Sequence, residues 1–215
     1  MKRLFFGCMV VVALTLGGCG DSSNTPTYTA QILSDATADG DIASAAGTGT
    51  LTITQGNTLQ VFAGFNPAGG SEFRTFLDFP LDGVNNGVPV DAAIASATLN
   101  FYINSITPSP LPFPGTIPIR IDLVSFQAQT LVGADFNSTA LASITINPPI
   151  SLADVSGFVP VDVTPLMREA QRLRLADFQV RIQRDNGTAS GMIEINDIIG
   201  ANRNSFAPQL DVVYY

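Results

Sequence analysis

An all-β fold, a two-sheet antiparallel β-sandwich of jelly-roll type with one short helix over about 165–174, is what these 215 residues predict. Three observations lead there. From Tyr28 onward apolar residues recur with a period of two in short runs, Gly, Pro, Asn and Asp separate the runs, and one stretch alone has helical spacing.

The runs can be taken in chain order. In "EFRTFLDF" Phe73, Thr75, Leu77 and Phe79 share one face, with Arg74, Phe76 and Asp78 opposite. In "ATLNFYI" Ala97, Leu99, Phe101 and Ile103 alternate with Thr98, Asn100 and Tyr102. "TPSPLPFPG" (107–115) carries too many prolines to lie inside a sheet and reads as a loop between strands. "IPIRIDLVSF" groups Ile117, Ile119, Ile121 and Leu123, and "FQVRIQR" groups Phe178, Val180 and Ile182. Such alternation marks strands with one buried and one wet face. Asn86-Gly87 sits in a loop, and Asp185-Asn186-Gly187, lying between "FQVRIQR" and "GMIEI", is a hairpin signal. In "VDVTPLMREAQRLRL" Thr164 suits an N-cap and Pro165 the first helical turn, while Leu166, Met167, Ala170 and Leu173 form one apolar face. About ten short strands and one helix make a sandwich, and no internal repeat is visible.

The N-terminal stretch is of another kind. Lys2 and Arg3 precede a mostly apolar segment, Leu4 to Gly18, that ends in small residues, which is the layout of a secretory signal. The segment is short for a membrane span. Leu16-Gly17-Gly18-Cys19 resembles the lipobox of bacterial lipoproteins, which implies cleavage after residue 18 and acylation of Cys19; the alternative is a plain secreted chain with an incidental cysteine. More than one acyl chain is needed for stable anchoring. Cys8 lies within the removed signal, so Cys19 would have no disulfide partner. Residues 1–18 are thus the expected signal, 19–27 the anchor and a short flexible tether, and 28–215 the sandwich. Gly20 in the second mature position leans toward the outer membrane within this family.

Removing Lys2 and Arg3 takes the formal charge from −8 to −10 and leaves no lysine. Such an acidic chain is unsuited to nucleic acid, whose binding rests on neutralised phosphates. Anionic headgroups would repel it, so attachment to a membrane would come through the lipid anchor.

The pieces "RTFLDFPL", "IASATLNFYI", "VPVDVTPLMREA", "DFQVRI" and "SFAPQLDVVYY" resemble, in order and spacing, the DNRLRE-type domains, jelly-roll modules of bacterial and archaeal surface proteins related to certain carbohydrate-binding modules. The resemblance covers residues 72–215 clearly and 28–71 loosely. It implies a noncatalytic sandwich at the cell surface, although the motif that names the family is absent and the chain has no tryptophan.

The inventory of reactive side chains is narrow. Histidine is absent, and the mature chain has no lysine and one cysteine, which removes Ser-His-Asp, Cys-His and Ser-Lys catalysis and His/Cys zinc sites. Carboxylate chemistry remains open to Glu72, Asp78, Asp122, Glu169 and Glu194, but nothing in their spacing pairs them. Asp35, Asp39 and Asp41 in "SDATADGDI" could supply oxygen ligands to a structural calcium ion, or could simply form an Asp/Gly-rich turn. Arg74, Arg120 and Arg181 fall on wet strand faces and, with Asn100 and Tyr102, could line a shallow glycan site; the alternative is cross-strand pairing with Asp78 and Asp122. Arg168, Arg172 and Arg174 offset the dipole of the helix end. The resulting expectation is a lipid-anchored, noncatalytic protein of the bacterial cell envelope that binds a polysaccharide or another envelope component. The competing expectation is a structural or assembly lipoprotein acting through protein contacts.

Overall fold

Fourteen strands are seen among the residues that the computed structural model describes, which are 26–82, 87–112, 114–185 and 190–215. The signal segment, Cys19, most of the tether, Asn86 and the Asn186-Gly187 pair lie outside the described residues. The first half of the chain gives β1 (Tyr28–Leu33), β2 (Gly40–Ser44), β3 (Leu51–Gln55), β4 (Gln60–Asn66), β5 (Ser71–Pro80) and β6 (Ile94–Thr107). The second half adds β7 (Thr116–Ile117), β8 (Ile119–Leu123), β9 (Ala142–Thr145), β10 (Ile150–Ser151) and β11 (Gly157–Asp162). The helix α1 (Thr164–Leu173) comes next, then β12 (Asp177–Arg184), β13 (Gly191–Asn196), the short α2 (Arg203–Phe206) and β14 (Gln209–Tyr214). Among the described residues no helix is long and apolar enough to cross a membrane.

All pairings are antiparallel, as expected of the alternating runs. The main path runs β1-β14-β6-β13-β4-β5-β12-β8-β9, with β11 beside β6 and the β2-β3 pair beside β5; β7 and β10 form a small separate sheet. The layers of the sandwich are therefore one continuous curled sheet, and two long strands make the curl. Ser71–Phe73 of β5 pair with β4 whereas Thr75–Pro80 pair with β12, and β6 passes from β14 at its start to β13 at its end. Close approach of β4 and β13 depends on Gly64, at φ +112°, where a Cβ would stand 2.3 Å from the Gly191 carbonyl oxygen.

The enclosed core is what the period-two pattern specifies. Leu77, Phe79, Leu99, Phe101, Ile103, Ile117, Ile119, Ile121, Leu123, Phe178, Val180 and Ile182 are all fully buried in one cluster. Each such side chain contributes about 1.5–3 kcal/mol relative to exposure. The helix closes this core with Leu166, Met167 and Ala170, while Leu173 stays exposed. Thr164 does not cap it: its Oγ1 accepts the Ala97 N–H at 2.9 Å, and Asp162 accepts the Thr164 N–H at 2.9 Å.

Two further expectations are corrected. β12 and β13 flank the Asn186-Gly187 pair but are not partners, since β12 lies between β5 and β8 and β13 between β4 and β6. The outward face of β5 and β12 is also dry. The segment 124–141 folds over it, and Val124, Phe126, Leu131 and Phe136 pack with Ile42 and Phe76 into a second apolar cluster. Asp78, Gln179, Arg181 and Gln183, which alternation places in water, are buried beneath that segment.

Candidate functional site

The three arginines expected to line a ligand site do converge, but on the protein itself. Asp122 of β8 holds two of them, Arg120 and Arg181, and Arg74 joins them at the Phe136 carbonyl. Arg181 donates to Asp122 Oδ2 at 2.7 Å, Arg120 Nε stands 2.9 Å from Oδ1, Ser143 donates to Oδ1 at 2.6 Å, and Gln183 also donates to Oδ2. Above the sheet, the Arg181 guanidinium donates to the carbonyls of Asp135, Phe136 and Ser138 at 2.9–3.2 Å. Arg74 donates to the Phe136 carbonyl and to Asn137, lies 3.8 Å from the Phe136 ring centroid and pairs with Glu72 at 2.8 Å. Burial pushes the Asp122 carboxyl up, yet the Ser143 bond and the two guanidiniums hold it below the usual range. This is a clamp that seats the 3-10 turn Gly133–Asn137 on the sheet. Buried cations whose donors are met by carbonyls and a carboxylate stabilise one arrangement and leave little for a ligand.

Asp35, Asp39 and Asp41 have separate partners. Asp35 accepts the Thr37 N–H and hydroxyl at 2.8 and 2.7 Å, closing a turn. Asp39 is fully buried, accepts the Asp78 N–H at 2.9 Å, and lies 3.9 Å from Arg203, which also pairs with Asp197 at 3.1 Å. Burial first, then Asp197, raises the Asp39 pKa well above the usual range. Asp41 accepts the Phe62 N–H at 3.3 Å. Among the described residues no three carboxylates are grouped to hold a metal, because Asp39 turns toward β5 and Asp35 toward its own turn. The other carboxylates are similarly engaged: Glu72 with Arg74 and Arg184, Asp78 with Gln179, Glu169 with Arg172, and Glu194 with Asn104 and Ser105.

Asn100 and Tyr102 stand on β6, separated from β12 by three strands of the sheet. Their face is open. Register places Phe158 of β11 directly opposite Tyr102, and Pro160 and Gln209 on either side of Asn100. Because β14 begins at Gln209, the preceding α2 brings Phe206 to Tyr102. Both rings meet Tyr102 edge-on, with centroids 5.2 Å apart, and Phe158 and Phe206 remain 49% and 37% exposed. Around this aromatic patch the polar groups hold one another. Asn100 and Gln209 donate to Asp211 at 2.8 and 2.6 Å, Asn104 and Ser105 donate to Glu194 at 3.1 and 2.6 Å, and Asn196 donates to Asn104 at 2.9 Å.

Sequence reasoning found Asn100 and Tyr102 and missed Phe158, Phe206 and the amides. A usable signal was present: Phe158 and Pro160 are the outward residues of "GFVPVD", where apolar side chains have no core to enter. What the arrangement can do follows from its chemistry. Flat apolar rings suit the C–H face of a sugar, and fixed amides and carboxylates suit its hydroxyls. A scan against protein-family models finds no match, and a search of curated proteins finds none either.

Proposed function

We propose that the chain is a lipid-anchored, noncatalytic sandwich of the bacterial cell envelope, held to the outer membrane through Cys19, which binds a neutral polysaccharide on the open face of β6. The observation that carries this reading is the patch in which exposed Phe158 and Phe206 flank the half-buried Tyr102, rimmed by Asn100, Asn104 and Gln209. Its supporting features are those of a carbohydrate surface: aromatic area that needs no reordering, with hydrogen-bonding groups already fixed in place. The rim carboxylates Asp211 and Glu194 disfavour acidic glycans, because like charges repel across a shared surface. Neither histidine nor a mature lysine is available for the common hydrolytic mechanisms, so retention of the glycan is the simpler role.

Calorimetric titration of the full chain against a panel of neutral and acidic polysaccharides tests the proposal. Saturable binding to a neutral member is expected. Binding to none of them, together with a stoichiometric protein partner recovered by crosslinking in native cells, would replace this reading with the assembly one.

A further inference from the structure

A cleft opens where β2, β3 and β4 meet, and through Phe62, which lies opposite Glu194 of β13, it borders the β6 face. Its volume is about 340 Å³, and its walls include Asp41, Thr54, Thr58, Leu59, Phe62 and Phe73. Register explains the grouping: Asp41 lies opposite both Thr54 and Thr75, and Ala43 lies opposite Phe73, so these side chains share one face. Thr75 is itself occupied, its hydroxyl donating to the Phe62 carbonyl at 2.8 Å. The Phe62 and Phe73 rings stand edge to face with centroids 5.7 Å apart.

Among the described residues the ionisable groups nearest the cleft are Asp41 and, opposite Phe62 on β13, Glu194, which Asn104 and Ser105 hold. β3 and β4 contain no ionisable side chain. On β5, Arg74 lies opposite Ile42 and so on the other face, where it pairs with Glu72, and Asp78 bonds to Gln179. Beyond Thr58, which donates to Asp197 at 3.0 Å, Asp39 and Asp197 share the single guanidinium of Arg203. Asp41 is left almost fully buried beside aromatic rings, with the Phe62 N–H at 3.3 Å as its bond within the fold.

We propose that this cleft binds a small organic ammonium ion, whose cationic head rests against Phe62 and Phe73 and pairs with the Asp41 carboxylate. Ring faces attract a desolvated cation, a buried carboxylate lacking a counter-ion gains one, and Leu59 covers the alkyl groups. The size fits, since small-molecule sites begin near 300 Å³. Burial pushes the Asp41 carboxyl up to about 6, so the empty site is protonated in mild acid and the cation competes with that proton.

Titration of the full chain with choline, and in parallel with its neutral isostere 3,3-dimethylbutan-1-ol, tests this. Choline should bind saturably at pH 7.5 and about tenfold more weakly at pH 5, since ionisation through a pKa near 6 controls the site. The isostere should not bind. Asp41→Asn, which keeps the side-chain shape, and Phe62→Leu should each weaken choline at least tenfold while the thermal transition stays cooperative. Equal binding of the isostere, undiminished binding by Asp41→Asn, or no saturable choline binding at pH 7.5 would overturn the proposal. Polysaccharide binding at the β6 face is scored separately.

Discussion

Four buried carboxyls set how this protein responds to pH. Burial pushes Asp41 and Asp78 up to about 6 and raises Asp39 and Asp197 as well. A folded-state pKa above the unfolded value means the folded chain keeps a proton that the unfolded chain has lost. The stability these groups contribute is therefore complete below about pH 4 and is lost as pH rises, for Asp41 and Asp78 through about 6. Glu72, held low by Arg74 and Arg184, and Asp122, held low by its Ser143 bond and by two arginines, act in the opposite sense: their contribution is present above about pH 4 and is lost as pH falls further. Stability should peak near pH 4 and decline as pH rises toward 7. Replacing Asp41 with Asn should recover about 3 kcal/mol at pH 8 and change little at pH 3, in keeping with a shift of roughly two pKa units. Urea melts of both proteins across that range provide the check, and a flat profile from pH 5 to pH 8 would contradict the assignment.

At the scale of elements, the segment 124–141 decides which faces are free. It is fastened by apolar contacts through Phe126, Leu131 and Phe136 and by the Asp122 clamp. Truncation of Asp122 to Ala would leave Arg181, 3% exposed, without its counter-ion. A buried pair broken in this way costs about 3–5 kcal/mol. Chemical denaturation should show that loss, together with earlier proteolytic cleavage within 124–141; a loss below about 1 kcal/mol would mean that the segment is held without the clamp. Alternation correctly gave the inward residues of β5, β8 and β12, because a strand's period is local. It could not give the dryness of Arg181 and Gln183, since their cover comes from a segment some 45 residues away. The same limit explains the false hairpin at Asn186-Gly187. Turn chemistry favours a tight return, but β4 and β5 already occupy the positions that a β12-β13 pair would need. Tyr102 and Asn100 were legible as outward residues of β6; the Phe206 that completes their face was not, because α2 reaches it only through the β14 pairing.

For the whole molecule, the sandwich carries an open aromatic face on β6 and is proposed to hang from an acylated Cys19. Those two properties can be separated. Replacing Cys19 with Ala should move the protein from the membrane fraction to the soluble one while leaving its glycan affinity intact; a variant still wholly in the membrane fraction would refute anchoring through this residue. The central claim concerns the face of β6. Its most direct measurement is the affinity of a neutral polysaccharide for the full chain and for the Phe158→Ala/Phe206→Ala double variant, whose altered rings lie outside the core. The account predicts at least a tenfold loss of affinity with an unchanged melting temperature, and equal affinity in the two proteins would contradict it.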